Sequence, residues 1–173
     1  MTPEQKQYYA DATQKLLSKI DKMNLDSGTR TRAKKLTRIF RDAFGCEKIK
    51  YETLYPEIAE FGDLSLFKYD SEGFCRAASN AFTTIIGNTP RVWQLMYISE
   101  IWEHGPHHYL MHMPSETIFD LTYDQFTGAG IYSVPYDLGY AVKMKTNGDE
   151  ISQRFVRSIE REFGIKLNKE MDY

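Results

Sequence analysis

The chain has little cysteine, little net charge and no long apolar run, and each shortage excludes a class of protein. Two cysteines in 173 residues are too few for a secreted scaffold held together by disulfides. A formal net charge of -2 supplies no strong field toward nucleic acid or an anionic membrane. No apolar run approaches the ~20 residues that span a bilayer, and the polar start lacks the apolar part of a signal peptide. We therefore expect a cytoplasmic protein with free thiols and no membrane partner.

The residues that are present favour one globular domain. Aromatic residues make up 14% of the sequence, a share that argues against disorder. A length of 173 residues suits a single domain that buries a substantial core. We predict one domain over residues 1–173, with a helical N-terminal part at 1–45 and the remaining core at 46–173.

Helical spacing dominates the N-terminal part. A first helix is expected from a capping box at Thr2 to about Met23, and a second one through Phe44 that ends at Gly45. One face of the second helix is basic and is expected to be solvated. It carries Arg30, Arg32, Lys34, Lys35, Arg38 and Arg41. The alternative is that this face docks an acidic partner or a phosphate backbone, in which case binding would depend steeply on salt.

The rest of the chain predicts one further helix, a run of strands and a closing helix. We expect strands at Leu64–Tyr69, Val92–Trp102, His107–Met113 and Thr117–Leu121, helices at Phe74–Ile86 and Asp149–Phe163, and a loop at 123–140. The strands from 91 to 122 follow one another through connections too short for crossover helices. The expected fold class is therefore α+β, with a helix beginning near Cys75 packed on an antiparallel sheet of at least three strands.

Cys75 lies where a polar loop becomes a helix. A thiol in the first turn is close to unpaired N–H groups and to the positive end of the helix dipole, and both favour the thiolate. Such a thiol suits a nucleophile, whereas most single cysteines are small buried apolar residues. Cys46, which follows a helix end, has no comparable position.

The four histidines of the chain cluster at 104, 107, 108 and 112. On a strand, His108 and His112 share a face with Leu110, and His107 points to the other side. Asp120 follows His108 by twelve residues, so we predict a hairpin in which the two side chains lie opposite each other. His107 takes the place of His108 if the strand register is shifted by one residue.

Adjacent histidines on a strand are poor chelators, and no thiol or helical His pair accompanies them. We expect no metal and no cofactor. The ordinary alternative for each histidine is a hydrogen-bonded core residue.

The order Gly-x-Cys at residue 75, His108-Tyr109, and Asp120-Leu121-Thr122 resembles the transglutaminase-like branch of the papain-like cysteine superfamily. The stretch from 118 to 126, with Asp-x-Thr-x-x-Gln-Phe, also resembles a small, poorly characterised group of phage and bacterial proteins. The resemblance covers about residues 73–140, and residues 1–45 lie outside it. Arg76 departs from the pattern, because transglutaminases usually carry an aromatic residue there.

This resemblance implies a cysteine-dependent acyl-transfer enzyme that works through a thioester on a protein or peptide amide. Cys75 would attack the carbonyl carbon, His108 would move the proton and Asp120 would orient the imidazole. Transfer to water would make it an amidase, protease or deamidase, and transfer to an amine a transglutaminase-like enzyme. Gln125 and Asn80 are candidates for binding the oxyanion or the substrate amide.

The alternative is a non-enzymatic phage or bacterial effector on the same fold that binds a host protein in the host cytoplasm. Its working surfaces would be the aromatic segment 123–140 and the basic helix 29–44. Nucleic acid is not the expected partner. Thiol reactivity separates the two classes, since only the enzyme needs a Cys75 that alkylates much faster than Cys46.

Overall fold

Helices and an antiparallel sheet make up the computed structural model, as the predicted α+β class requires. It describes residues 3–46, 48–49, 54–56, 74–87, 91–101, 105–128, 134–143 and 148–170. The helices are α1 (Pro3–Lys22), α2 (Ser27–Phe44), α3 (Cys75–Ile86), α4 (Asp124–Gly128), α5 (Glu150–Phe163) and α6 (Leu167–Glu170). The expected strand at Leu64–Tyr69 lies outside the described residues.

The sheet has four strands in the order β3-β2-β1-β4, and every neighbouring pair is antiparallel. Its strands are β1 (Trp93–Ile98), β2 (His107–His112), β3 (Thr117–Phe119) and β4 (Tyr140–Ala141). The prediction of at least three antiparallel strands is confirmed. The segment expected to be a loop at 123–140 instead contains α4, a 3-10 turn at Tyr136–Leu138 and the start of β4. Two residues of strand are too short to show alternation in the sequence.

The two N-terminal helices begin and end close to the predicted residues. Asp26 caps α2, because its carboxylate accepts a hydrogen bond of 2.8 Å from the Thr29 amide. The apolar face of α2 is buried, including Phe40 and Phe44. These rings pack on Phe155 of α5, at centroid distances of 5.0 and 5.9 Å. The N-terminal helices therefore share a core with the C-terminal helix.

For one residue on the basic face of α2, the prediction of a solvated side chain is wrong. Arg41 is fully buried and not solvated. Its guanidinium binds both carboxylate oxygens of Asp124, at 2.7 and 2.8 Å, and the carbonyl of Leu121 at 3.0 Å. It also lies 4.1 Å from the centre of the Tyr9 ring. A guanidinium tolerates burial when its donors are paired in this way.

Helix α3 packs against β2 and β1 on one face of the sheet and against α5 on its other side. Its first turn is fixed by Phe74, which is buried and packs on the rings of Phe44 and Phe155 at 5.1 and 5.6 Å. Phe82, farther along α3, packs on Trp93 and Phe119 of the sheet. The start of α3 is thereby held near the beginning of β2. Among the described helices, none is long and apolar enough to cross a membrane.

Candidate active site

A buried ion pair between a histidine and an aspartate lies at the start of β2. Nε2 of His107 is 2.7 Å from Oδ2 of Asp120, and the two side chains are each 1% exposed. Since Nε2 is bound to the carboxylate, Nδ1 is the nitrogen that faces away from Asp120. This is the arrangement in which a carboxylate fixes the orientation of a catalytic imidazole.

The sequence predicted His108 as the partner of Asp120, and the structure has His107 in that position. In the β2–β3 hairpin, Leu110 pairs with Phe119 and His112 with Thr117. Continued by one pair, this register sets Asp120 opposite Tyr109, not opposite His108. The carboxylate therefore shares the face of His107, because a shift of one residue reverses every side chain. His107 and His108 point to opposite faces of the sheet, as predicted. The predicted pairing of β2 with β3 was wrong by one residue.

Four hydrogen-bond donors surround the carboxylate of Asp120. Oδ2 accepts from His107 and from the hydroxyl of Tyr136 at 2.8 Å. Oδ1 accepts from the amide and the hydroxyl of Thr122, at 3.0 and 3.2 Å. Burial raises the pKa of Asp120, but the charge of His107 and these hydrogen bonds outweigh it, so the pKa lies below its usual value. The site thus holds an ionised carboxylate in a dry environment.

Tyr136 was not predicted as a site residue, and its sequence neighbourhood gives no signal for it. It reaches Asp120 from the 3-10 turn at Tyr136–Leu138, and its carbonyl accepts a 2.9 Å hydrogen bond from Tyr109. Gly139 permits this contact, because a Cβ there would lie 2.0 Å from the Tyr109 hydroxyl. The segment after 134 therefore folds back over the histidine–aspartate pair.

Aromatic rings also fix the imidazole of His107. The Phe126 ring meets it edge-on at 4.6 Å, and the Tyr109 ring lies nearly parallel to it at 6.2 Å. These contacts limit the rotation of the imidazole and exclude water from one side of the pair. The orientation of the ring is therefore set by packing as well as by the carboxylate.

Cys75 is the first residue of α3, and the residue as a whole is partly exposed. The amide groups of a first helical turn have no partner within the helix and point toward the helix start. A thiolate or an oxyanion at this point would accept hydrogen bonds from them. Ser79, one turn along the same helix face, lies 3.5 Å from the carbonyl oxygen of His108. The thiol is thereby placed over the first residues of β2.

The thiol and the imidazole of His107 shift each other's pKa. Burial raises the pKa of Cys75, but hydrogen bonding and charge attraction to His107 and His108 reverse the effect and lower it to about 6. Burial lowers the pKa of His107, but the charge and hydrogen bond of Asp120, together with Cys75, raise it to about 10. Between these values the pair exists as thiolate and imidazolium, the state of an activated cysteine.

His108 lies on the other face of the sheet, toward α3. Its ring packs on Tyr97 of the neighbouring strand at a centroid distance of 4.8 Å. It also lies close enough to the Cys75 thiol to lower the pKa of that thiol. The thiol therefore sits between two imidazoles, of which His107 alone carries a carboxylate partner among the described residues.

The structure brings Gln125 to the site but not Asn80. The Gln125 amide donates to the Thr122 hydroxyl at 3.1 Å, and its nitrogen lies 3.5 Å from Nδ1 of His107. Asn80 donates instead to the carbonyl of Arg76 in its own helix, at 3.1 Å. It lies about one and a half turns from Cys75, so it points elsewhere. The proposed oxyanion role remains geometrically open for Gln125.

Arg76 and Arg41 stabilise the structure around the site. Arg76 follows the thiol in sequence, but its Nε binds the Asp149 carboxylate at 2.7 Å. Asp149 in turn caps α5 through the Ser152 amide. Arg41 holds the segment after Asp120 by its bonds to Asp124 and to the Leu121 carbonyl. The buried guanidinium thus links α2 to the loop that carries the carboxylate.

His112, at the far end of β2, is separate from the site. Its Nδ1 is 2.6 Å from the Ser115 hydroxyl, and burial lowers its pKa. Within the described part of the chain, no three His, Cys, Asp or Glu side chains group in a way that could hold a metal ion.

No protein-family model matches the sequence, and comparisons with curated proteins and with solved structures found no significant match. The chemistry must therefore be argued from the geometry of Cys75, His107 and Asp120. A thiol at a helix start, a buried imidazole and a carboxylate behind it provide a nucleophile, a proton carrier and its orienting group.

Proposed function

We propose that the protein is a cysteine-dependent acyl-transfer enzyme with the triad Cys75, His107 and Asp120. The observation that carries the proposal is the buried Asp120–His107 pair facing a thiol at a helix N-terminus. A histidine with only a packing role would need neither a carboxylate partner that accepts four hydrogen bonds nor a thiol beside it. The resemblance to transglutaminase-like proteins agrees with this order of groups, with His107 in the role first given to His108.

The reaction begins when the Cys75 thiolate attacks the carbonyl carbon of an amide or ester. The sulfur–carbon bond forms, and the negative charge moves to the carbonyl oxygen, where amides of the first turn of α3 stabilise it. The tetrahedral intermediate then collapses to a thioester. The bond to the leaving amine or alcohol breaks, and that group takes the proton that His107 carries.

The second half restores the enzyme. Water or a primary amine attacks the thioester carbonyl, and His107 accepts the proton of the attacking group. The sulfur–carbon bond breaks, releasing an acid or a new amide and the Cys75 thiolate. Asp120 remains ionised throughout, and it stabilises the imidazolium that begins and ends the cycle.

The test compares the two cysteines, which are both partly exposed. The wild type, Cys75→Ala and the matched control Cys46→Ala are incubated with an activated acetyl ester and with peptide amides, with and without a primary amine. We expect mass spectrometry to find an acetyl group on Cys75 and turnover that only Cys75→Ala abolishes. Equal acylation of both cysteines, or turnover that survives Cys75→Ala, would contradict the proposal and favour a binding protein.

A further inference from the structure

Three rings form a continuous row on the sheet beside the thiol. His108 of β2 pairs with Tyr97 of β1, and Tyr97 pairs with Tyr140 of β4. The ring centroids of neighbouring members are 4.8 and 5.5 Å apart. Cross-strand partners point to the same face, so the three rings lie side by side. We call His108, Tyr97 and Tyr140 the aromatic ledge.

The ledge begins at the nucleophile. The carbonyl of His108 lies 3.5 Å from the Ser79 hydroxyl, one helical turn after Cys75 on α3, and His108 is close enough to the thiol to lower the pKa of Cys75. Strands lie about 4.8 Å apart, so the ledge extends roughly 10 Å from His108 to the edge of the sheet. That distance suits one or two residues of a substrate whose carbonyl is at Cys75.

The outer end of the ledge is exposed and apolar. Tyr140 is 52% exposed, and Leu138, two residues earlier, is 65% exposed. Four large hydrophobic side chains are exposed among the described residues, and the two most exposed are this pair. An exposed aromatic side chain that continues a row of rings from a reactive group is typical of a binding surface.

The edge-to-face packing of Tyr97 and Tyr140, at an interplanar angle of 77°, leaves ring surface available to a further group. Aromatic rings prefer such edge-to-face or offset contacts with another ring, and they also bury aliphatic groups well. Two of the three members of this row are tyrosine rings, so most of its surface is aromatic. The chemistry therefore matches an apolar occupant.

We propose that the aromatic ledge is the specificity subsite of the enzyme and binds an aromatic or large aliphatic side chain next to the carbonyl that Cys75 attacks. This inference rests on the proposed function, because it uses Cys75 as the reacting atom. It adds a substrate class: peptides or amides with a bulky apolar side chain beside the scissile bond.

The experiment measures alkylation of Cys75 by two probes that differ only in one apolar group, N-benzyl-iodoacetamide and N-methyl-iodoacetamide. Glutathione supplies the rate ratio of a thiol without a binding site. For the wild type we expect a benzyl-to-methyl ratio about tenfold above that of glutathione, the effect of one aromatic contact. Tyr140→Ser and Tyr97→Leu should return the ratio toward the glutathione value.

Met113→Ser is the matched control, because Met113 is 41% exposed and lies past the far end of β2. This variant should keep the wild-type ratio. The proposed subsite would be contradicted if the wild-type benzyl-to-methyl ratio equalled that of glutathione. It would also be contradicted if Tyr140→Ser and Tyr97→Leu left the ratio unchanged. Slow alkylation of Cys75 by N-methyl-iodoacetamide at neutral pH would instead show that Cys75 is not a thiolate, and it would contradict the proposed function. The two failures are therefore distinguishable.

Discussion

At the scale of single residues, the site depends on one buried carboxylate. Asp120 accepts hydrogen bonds from His107, Tyr136 and twice from Thr122. A buried charge is stable only when its oxygens are paired, and here each oxygen has two donors. The ionised carboxylate keeps His107 protonated, and the imidazolium keeps Cys75 in its thiolate form.

The variant Asp120→Asn preserves the size of the side chain but removes its charge. We expect the pKa of His107 to fall and that of Cys75 to rise, because the attraction between the carboxylate and the imidazolium is lost. Turnover should drop by about 10⁴-fold, as the same change does in the serine triad used as precedent. The measurement is kcat for an activated ester, with circular dichroism as the control for folding. A loss below tenfold would show that Asp120 does not orient the catalytic base.

Tyr136→Phe removes one of the four donors and leaves the ring. A hydrogen bond to a charged group contributes about 1.5–3 kcal/mol, so turnover should fall roughly tenfold to a hundredfold. Tyr8→Phe is the matched control, since the Tyr8 hydroxyl donates to the carbonyl of Asp124 and not to Asp120, and it should retain wild-type kcat. Equal kinetics for the two variants would exclude a positioning role for Tyr136.

The sequence singled out Cys75 and Asp120, but it paired Asp120 with His108, whereas the structure pairs it with His107. Four residues, Met113–Glu116, connect β2 to β3, and they set His112 opposite Thr117. That pairing already sets Asp120 opposite Tyr109 and on the face of His107. Tyr136 could not have been found in this way, because a contact between two residues sixteen positions apart leaves no periodic signal.

At the scale of elements, helix α2 fixes the loop that carries the carboxylate. Arg41 binds Asp124 through two hydrogen bonds and Leu121 through a third, and it is fully buried. A buried ion pair adds little stability compared with apolar packing, but breaking it leaves an uncompensated charge. The N-terminal helices therefore have a role in the site, although the resemblance did not extend to them.

Arg41→Ala should lower the free energy of unfolding by about 3–5 kcal/mol, because Asp124 would remain buried after losing the guanidinium that binds both of its oxygens. Arg38→Ala, an exposed position on the same helix, is the control and should change it by at most about 0.5 kcal/mol. Urea denaturation measures both. The double variant Arg41→Met, Asp124→Leu should recover part of the loss. Similar small effects for Arg41→Ala and Arg38→Ala would show that the ion pair holds nothing in place.

Most elements followed from the sequence because long helices and closely connected strands carry strong periodic patterns. The ends of α1, α2, α3 and α5 lie within about one residue of the predictions. The burial of Arg41 did not follow from its residue type, which usually lies at the surface. Its position nevertheless indicated burial, because Thr37, Arg41 and Phe44 are spaced so that they lie on one face of the helix.

At the scale of the whole molecule, one hydrophobic core includes residues from both ends of the chain. It joins Leu16 and Phe40 of the N-terminal helices, Phe82 of α3, Trp93 of the sheet and Phe155 of α5. A core shared in this way predicts cooperative unfolding without a separately stable N-terminal part. Unfolding in urea should give the same midpoint by far-ultraviolet circular dichroism and by tryptophan fluorescence. Two separated transitions would indicate that the N-terminal helices fold independently.

The most direct test of the central claim is the pH dependence of Cys75 alkylation by iodoacetamide. The account predicts a midpoint near pH 6, whereas an ordinary thiol has its midpoint near ~8.5. His107→Gln should move the midpoint upward by more than the matched variant His108→Gln, because only His107 is paired with Asp120. Alkylation with a wild-type midpoint near ~8.5, or a larger shift for His108→Gln than for His107→Gln, would contradict the account.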